Sequence, residues 1–283
     1  MTRLILTTDD SGAGSLRAAG IADIVLPFGI RFVWGPQPSE TKLAAFLEAR
    51  STKRGSPGSH WLDFVRPRHL EEIEGEDLGL IDLCERCETI GLWVDPDPNA
   101  QLTLIWLLDY LRHHAKIALK LTLVQADVRI GNHLPEELAK WRLPAVKILD
   151  DHLETASAAW QAYRAPTPQD WFNLLGRDLN VLPQLRQTVL ELLEELPIDA
   201  TGLGATEMRM LELIAAGNAG PFDVFPGDRK RNQRRVSATG RSDLCWTGWR
   251  VVRRPPCQVS TRGHSRGRCT TTVTVTSVTN GAS

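Results

Sequence analysis

The sequence has almost no net charge and no long apolar run. Its 33 basic and 34 acidic side chains leave a formal net charge of −1, which argues against a protein whose whole surface grips nucleic acid or anionic lipid. No apolar stretch approaches the roughly 18 residues that a membrane helix needs, and Asp9 and Asp10 come too early for a signal peptide. We therefore expect a cytoplasmic protein without membrane contact.

Several motifs of catalysis and cofactor binding are also missing. The segment Ser11–Ser15 has neither the GxGxxG spacing of a dinucleotide site nor the GxxxxGK[ST] pattern of a P-loop. No HExxH zinc motif and no Ser–His–Asp order is present. Cys84 and Cys87 form a single CxxC, which is a poor zinc site without a second pair, and we expect Cys84 to face the core. The sequence thus predicts no metal site and identifies no cofactor.

The first part of the chain alternates strand patterns with helical patterns. Short apolar or β-branched runs predict strands at Arg3–Thr8, Asp23–Phe28, Thr89–Val94 and Lys120–Gln125. Between them, Ser39 is placed to cap a helix, Asp77–Glu88 has a helical pattern, and Leu102–Arg112 is apolar almost all round. Strands separated by helices favour parallel βαβ units. We therefore predict an α/β fold class with a Rossmann-like parallel-sheet domain over residues 1–133.

The second part of the chain is helical in pattern. Five helical segments follow one another after residue 134, with prolines at their starts and stops. In one of them Leu149, Leu153, Ala156 and Trp160 share a face. Four tryptophans are expected to anchor helix packing: Trp106, Trp141, Trp160 and Trp171. Residues 134–236 are thus predicted to be an all-helical module, and we expect no strands in it.

The candidate ligand site lies where two predicted strands end. Ligands of open parallel sheets bind beyond the carboxyl ends of the strands, and a following helix offers free N–H groups to an anion. One strand end leads into Asp10 and Ser11, and the next leads into Asp95 and Asp97. The predicted ligand-binding residues are Asp10, Ser11, Gly12, Gly14, Arg17, Trp34, Gly35, Trp93, Asp95, Asp97 and Gln101. We expect a small polar or anionic molecule there.

The same residues have a simpler interpretation. Aspartate and serine at helix starts are commonly N-caps, and Asp-Pro is a common turn. If the site is catalytic, Asp10 and Asp97 are the candidate bases or metal ligands and Ser11 is the candidate hydroxyl donor. If the site is not catalytic, these side chains only cap helices and form the turns between strands and helices.

A family resemblance supports the boundaries of this region. The stretches that carry it are Asp10–Arg17 (DSGAGSLR), Val25–Phe28 with Gly35-Pro36, Leu92-Trp93 with Asp97 and Gln101-Leu102, Trp160–Pro166 and Gly202–Gly217. Over residues 3–236 the chain resembles a bacterial family of uncharacterised proteins, known only as a domain of unknown function. The resemblance implies a fold and boundaries but no chemistry. Two positions depart from the pattern: Asp9 replaces an expected Gly, and Gly204 replaces a Ser or Thr that would cap a helix.

The end of the helical module is similar to the start of a winged helix. A helix over residues 205–216 is followed by a basic run in which Arg229, Lys230, Arg231, Arg234 and Arg235 are the candidate nucleic-acid contacts. Such residues would bind phosphates in a winged-helix protein. A solvated linker is the alternative, since a winged helix needs a third helix and a wing, and the apolar pattern disappears after residue 236.

The last segment has a composition unlike the rest of the chain. Residues 237–283 contain seven arginines, no lysine and one acid, and they have one leucine and no isoleucine, phenylalanine or methionine. We hypothesise that a shifted reading frame in a GC-rich gene produced this segment. If neither of the other two frames of the DNA continues with periodic apolar patterning, the hypothesis is wrong. A basic disordered arm or an edge hairpin in the Thr/Val stretch are the alternatives.

Two classes of function remain open from the sequence. The first is a regulatory or binding protein with a small polar or anionic ligand in the α/β domain and a helical interaction module. The second is an enzyme that acts on a phosphate- or nucleotide-like substrate through Asp10, Ser11 and Asp97. Both depend on the two aspartate-containing turns lying side by side at one edge of the sheet.

Overall fold

The chain forms a mixed α/β fold around one mostly parallel sheet. The computed structural model describes residues 2–33, 36–51, 60–64, 77–217 and 224. Its strands are β1 (Arg3–Thr7), β2 (Ile24–Pro27), β3 (Arg50–Ser51), β4 (Asp77–Leu78), β5 (Thr89–Val94), β6 (Leu121–Gln125) and β7 (Val146–Lys147). Its helices are α1 (Asp10–Ala18), α2 (Glu40–Leu47), α3 (Leu80–Arg86), α4 (Pro98–Leu111), α5 (Ala115–Ala118), α6 (Pro135–Lys140), α7 (Asp150–Arg164), α8 (Gln169–Asn173), α9 (Leu185–Glu194) and α10 (Ala205–Ala215).

The main sheet has the strand order β2-β1-β5-β6-β7. The first four of these run parallel, and β7 is antiparallel to β6. The four parallel strands are those that the sequence predicted, with ends that differ by at most one residue. β3 and β4 form a separate antiparallel pair. The predicted parallel α/β sheet is therefore confirmed.

Two short strands were not predicted from the sequence. The strands do not stop before residue 134, because Val146 pairs with Leu123 and Lys147 with Thr122. This edge strand has only two residues and both are exposed, so it carries no apolar pattern. The helix predicted over Asp77–Glu88 begins only at Leu80, because the first two residues form β4.

The helices follow from caps and apolar faces. Ser39 accepts a hydrogen bond from Lys42 N, as the capping prediction requires, and Leu43, Phe46 and Leu47 of α2 are buried. α4 begins earlier than predicted because Asp97 accepts from Ala100 N and Pro98 occupies the first turn. Most of α4 is buried, and it packs against α7 and α9.

The helices after residue 150 share a core with the sheet. Leu153, Ala156 and Trp160 of α7 belong to the same buried cluster as Leu92 of β5. Leu149 departs from the predicted face: it is exposed because it precedes the first turn of α7 as the N-cap residue. The boundary between a sheet domain and a helical module at residue 134 stays a prediction.

Gly204 has a steric reason to be glycine. It precedes α10 and supplies no side-chain cap, as the sequence analysis expected, while Glu207 accepts from its backbone N–H at 3.0 Å. A Cβ at this position would lie 2.5 Å from the carbonyl oxygen of Glu195. A serine cap would therefore collide with the end of α9.

Several sequence predictions lie outside the described residues. These are the winged-helix-like end after α10, the basic run at 229–235, and the segment 237–283. Among the described residues, no helix combines the length and the apolar character required to span a bilayer.

Candidate functional site at the carboxyl edge of the sheet

The candidate site lies at a change of direction in the sheet. The chain goes from β1 through α1 to β2 on one side of β1, and from β5 through α4 to β6 on the other. Ile5 packs with the α1 side chains, whereas Leu4 and Leu6 pack with those of α4, so the two helices cover opposite faces. In such sheets ligands bind at the carboxyl edge where the strand order reverses. Here that edge lies between β1 and β5.

The two predicted turns lie side by side at this edge. Asp95 N donates to Thr8 Oγ1 at 3.4 Å, which joins the turn after β1 to the turn after β5. The segment after β2 reaches the same place, because Asn99 accepts from Phe32 N at 2.8 Å and donates to Ile30 O at 2.9 Å. The predicted juxtaposition is therefore confirmed for the two turns, while Trp34 and Gly35 lie outside the described residues.

Asp9, which the sequence analysis did not select, is the residue of the first turn that faces the site. Its carboxylate accepts from Gly12 N at 3.2 Å and from the Ser11 hydroxyl, and it is the N-cap of α1. Asp10 is exposed in the first turn of the helix. An aspartate directly before a helical pattern is the usual N-cap signal, so the sequence did contain the information that identifies Asp9.

Asp95 is the most deeply buried acid of the site. It is 1% exposed, and its Oδ1 accepts from Ile130 N at 2.8 Å. Burial, with smaller contributions from the charges of Asp97 and Asp9, raises the pKa of Asp95 to about 7, although the Ile130 hydrogen bond and Arg129 act in the opposite direction. This carboxyl group therefore changes its protonation state near neutral pH.

Asp97 connects the site to α4 and to the loop after β6. It caps α4 by accepting from Ala100 N at 3.2 Å, and its other oxygen lies 3.5 Å from Arg129 Nη2. Burial raises the pKa of Asp97, while the Arg129 charge lowers it in part. Arg129 is a residue of the site that could not be predicted from the sequence, because nothing in the local pattern shows that the loop after β6 reaches the turn after β5.

Gln101 holds the turn after β5 in place through hydrogen bonds of its side chain. Its amide nitrogen donates to Asp95 O at 2.8 Å and to Gln184 Oε1 at 3.3 Å, and its oxygen accepts from Gln125 Nε2 at 2.9 Å. Gln184 in turn donates to Ala126 O at 2.8 Å. These bonds use both amide hydrogens of Gln101, so this residue positions the turn and links it to the start of α9.

Three other predicted ligand-binding residues lie in neighbouring elements, Arg17 and Gly14 within α1 and Trp93 near the carboxyl end of β5. Arg17 donates to Val25 O from Nε at 3.1 Å and from Nη2 at 2.7 Å, which covers a carbonyl of the edge strand β2. Trp93 packs against Trp141, with ring centroids 6.5 Å apart. Gly14 has no atom within 4 Å of a Cβ built on it. Their assignment to a ligand stays a prediction.

Gly131 holds the loop after β6 against the start of α1. A Cβ at this position would lie 3.0 Å from Gly12 N and closer still to the Ser11 hydroxyl. We expect Gly131→Ala to destabilise the protein by about 1–3 kcal/mol through overpacking, whereas Gly14→Ala in the open part of α1 should be neutral or stabilising by about 0.5–1 kcal/mol. Urea unfolding of the two variants measures both values, and equal changes would contradict the close approach.

Two of the cysteines, Cys84 and Cys87, lie within the described residues. Cys84 and Cys87 are both free and buried, as expected for Cys84, and burial raises the pKa of the Cys84 thiol to about 12. Among the described residues, no group of three or more His, Cys, Asp or Glu side chains has an arrangement that could hold a metal ion.

Comparison with known proteins adds no assignment to this site. No family model matches the chain, and no curated protein matches it. The residues themselves must therefore carry the functional argument, and the resemblance described from the sequence stays a prediction.

Proposed function

We propose that the edge between β1 and β5 binds a small polar ligand and that the protein is a ligand-responsive binding or regulatory protein. The observation that supports this most directly is the meeting of three loops at the point where the strand order reverses. Two of these loops bring Asp9, Asp95 and Asp97 close enough for their charges to influence one another. Placing a buried acid, Asp95, beside the half-buried Asp9 and Asp97 lowers the stability of the fold, and binding of a ligand would explain why the acids lie together.

The charges at this edge indicate which chemical class of ligand binds there. The sequence analysis expected a polar or anionic molecule because two helices begin there. However, Gly12 N and Ala100 N already donate to Asp9 and Asp97, so the N-termini of α1 and α4 hold carboxylates of the protein itself. Arg129 is the cation that offsets these acids. We therefore favour a polar ligand with an amine or another hydrogen-bond donor over a phosphate.

A thermal-shift experiment tests this proposal. We expect a diamine such as putrescine to raise the melting temperature and inorganic phosphate or AMP to leave it unchanged, because a ligand that binds only the native state stabilises it by about 2.7 kcal/mol at about 100 times its Kd. The variant Asp97→Asn should lose most of the response, and the exposed Asp170→Asn in α8 should retain it. Equal responses of the two variants, or no response to any probe, would overturn the proposal.

The helices after residue 150 have an apolar surface that is exposed. Large apolar side chains remain exposed near the end of α9, among them Leu190, Leu196 and Ile198. Exposed apolar surface is typical of a contact site for another macromolecule. We propose that this helical part is the interaction module; contact with DNA stays a separate prediction, which rests on the basic run at 229–235.

An enzyme is the second candidate, and Asp95 is the observation that favours it. A carboxyl group with a pKa of about 7 can exchange protons at neutral pH, as general acids and bases do. In this alternative a phosphate- or nucleotide-like substrate meets Asp10, Ser11 and Asp97 at the edge. Release of inorganic phosphate from nucleotides that depends on Asp97 and not on Asp170 would favour the enzyme over the binding protein.

A further inference from the structure

Three glutamine side chains form a hydrogen-bonded chain between the sheet edge and α9. Gln125 ends β6, Gln101 lies in α4, and Gln184 directly precedes the first residue of α9. We call these three residues the glutamine relay. Gln101 is 1% exposed, and its two partners are half-buried. They lie 24 and 83 residues from Gln101 along the sequence, so only the packed fold brings the three side chains together.

The relay fixes the orientation of the Gln101 amide group. Gln125 Nε2 donates to Gln101 Oε1 at 2.9 Å, and Gln101 Nε2 donates to Gln184 Oε1 at 3.3 Å. Gln184 presents its oxygen to Gln101 because its own nitrogen donates to Ala126 O at 2.8 Å. A rotated Gln101 amide would place oxygen against oxygen at Gln184 and nitrogen against nitrogen at Gln125, and neither pair can form a hydrogen bond.

The oriented amide holds the turn that carries two acids of the sheet-edge site. Gln101 Nε2 donates to Asp95 O at 2.8 Å, while the Asp95 side chain accepts from Ile130 N. Asp97 follows two residues later as the N-cap of α4. A rotated amide would direct its oxygen at the Asp95 carbonyl, which has no hydrogen to donate. The position of Asp95 therefore depends on Gln184 by way of Gln101.

We propose that Gln184 is a positioning residue for the ligand site and that the glutamine relay couples ligand binding at the sheet edge to the start of α9. The inference rests on the proposed function and states how the protein responds to its ligand. Energetic coupling between sites is reciprocal, so a hydrogen bond that strengthens binding at the turn is itself strengthened when the ligand binds. α9 carries the exposed Leu190 and leads to Leu196 and Ile198, so the relay connects the ligand site to the interaction module.

A variant of Gln184 separates positioning from simple support of the fold. Gln184→Met keeps the length of the side chain and removes its hydrogen bonds, whereas Gln169→Met in α8 removes a bond between two exposed side chains. We expect Gln184→Met to bind putrescine about five- to tenfold more weakly. It should also lower the pH at which Asp95 titrates, because a loosened turn admits water to the buried carboxyl group.

Calorimetry measures the affinity for putrescine, and carbon-13 NMR of the aspartate carboxyl groups measures the titration of Asp95. Gln169→Met should change neither quantity. If Gln184→Met lowers the stability to urea but leaves both quantities at their wild-type values, Gln184 only supports the fold and the positioning role is wrong.

Hydrogen exchange measures the coupling in the opposite direction. Saturating putrescine should slow exchange of the α9 amides from Thr188 onwards about fivefold in the wild type, since Thr188 N donates to Gln184 O. The effect should be absent from Gln184→Met. The amides of α3 serve as the control, because no member of the relay lies in that helix. Equal slowing of α9 in the wild type and Gln184→Met would contradict the coupling.

The side-chain amide of Gln184 reports on the relay without any ligand or Gln184 variant. Its NMR signals should shift with the ionisation of Asp95, with a midpoint near pH 7, and should stay constant in that range in Asp95→Asn. The variant is needed because Asp9, Asp97 and Arg129 also act on Asp95.

The two experiments separate the relay from the ligand site. If putrescine does not bind the wild type but the Gln184 signals follow Asp95, the proposed ligand is wrong and the connection between the turn and α9 stands. If putrescine binds while neither the α9 amides nor the Gln184 signals respond, the ligand site stands and the relay is wrong.

Discussion

Asp95→Asn should make the protein more stable than the wild type at pH 8 and remove most of its pH dependence between pH 4 and 7. The pKa of Asp95 is raised from 3.8 to about 7 in the folded protein. Its contribution to stability is therefore fully present below about pH 4 and is lost as the pH rises through 7. The full difference is of the order of 4 kcal/mol. Asparagine avoids it because it carries no charge and its oxygen can still accept from Ile130 N.

Urea unfolding at pH 5, 6, 7 and 8 measures this effect. The free energy of unfolding of the wild type should fall relative to that of Asp95→Asn by about 1 kcal/mol for each pH unit from pH 5 to 7, and by much less from pH 7 to 8, where Asp95 is mostly ionised in both states. Asp127→Asn is the matched control, because Asp127 is exposed in the neighbouring loop. Parallel curves for wild type and Asp95→Asn would show that Asp95 is already ionised well below pH 7.

Binding of the proposed ligand should change the pKa of Asp95. A cation bound beside Asp97 and Asp9 would favour the ionised form of Asp95 and lower its pKa, since like-charged neighbours now raise it. By linkage, the ligand should bind more tightly above pH 7 than below pH 6. A phosphate would produce the opposite dependence, so the direction of the change distinguishes the two ligand classes.

The sequence could predict those parts of the structure that depend on local patterns. The apolar runs locate the four parallel strands, and Ser39 marks the start of α2, because periodicity and capping act over a few residues. Parallel strands then place Asp95 and Asp97 near the first turn. These inferences need no knowledge of distant contacts.

The rest depends on contacts between distant parts of the chain. Arg129 reaches Asp97, and Gln184 reaches Gln101, only after α4, β6 and α9 have packed. β7 is too short to show alternation.

Trp106→Ala should cause a large loss of stability, about 3–5 kcal/mol. Trp106 is 4% exposed and lies at the centre of an aromatic cluster: its ring centroid is 6.4 Å from that of Phe28, 5.8 Å from that of Phe32 and 6.3 Å from that of Phe46. Removal of the indole leaves a cavity that the three surrounding rings, two from the segment after β2 and one from α2, cannot fill.

Trp141→Ala is the matched control for this prediction, because it removes the same side chain from a half-buried position. Trp141 contacts Trp93 and His133, and its loss should cost about 1–2 kcal/mol. The Trp106 variant should also weaken the putrescine response at temperatures where it remains folded, since Phe32 connects the aromatic cluster to Asn99 of the second turn. Equal losses of stability in the two variants would mean that Trp106 fills space without joining α4 to the segment after β2.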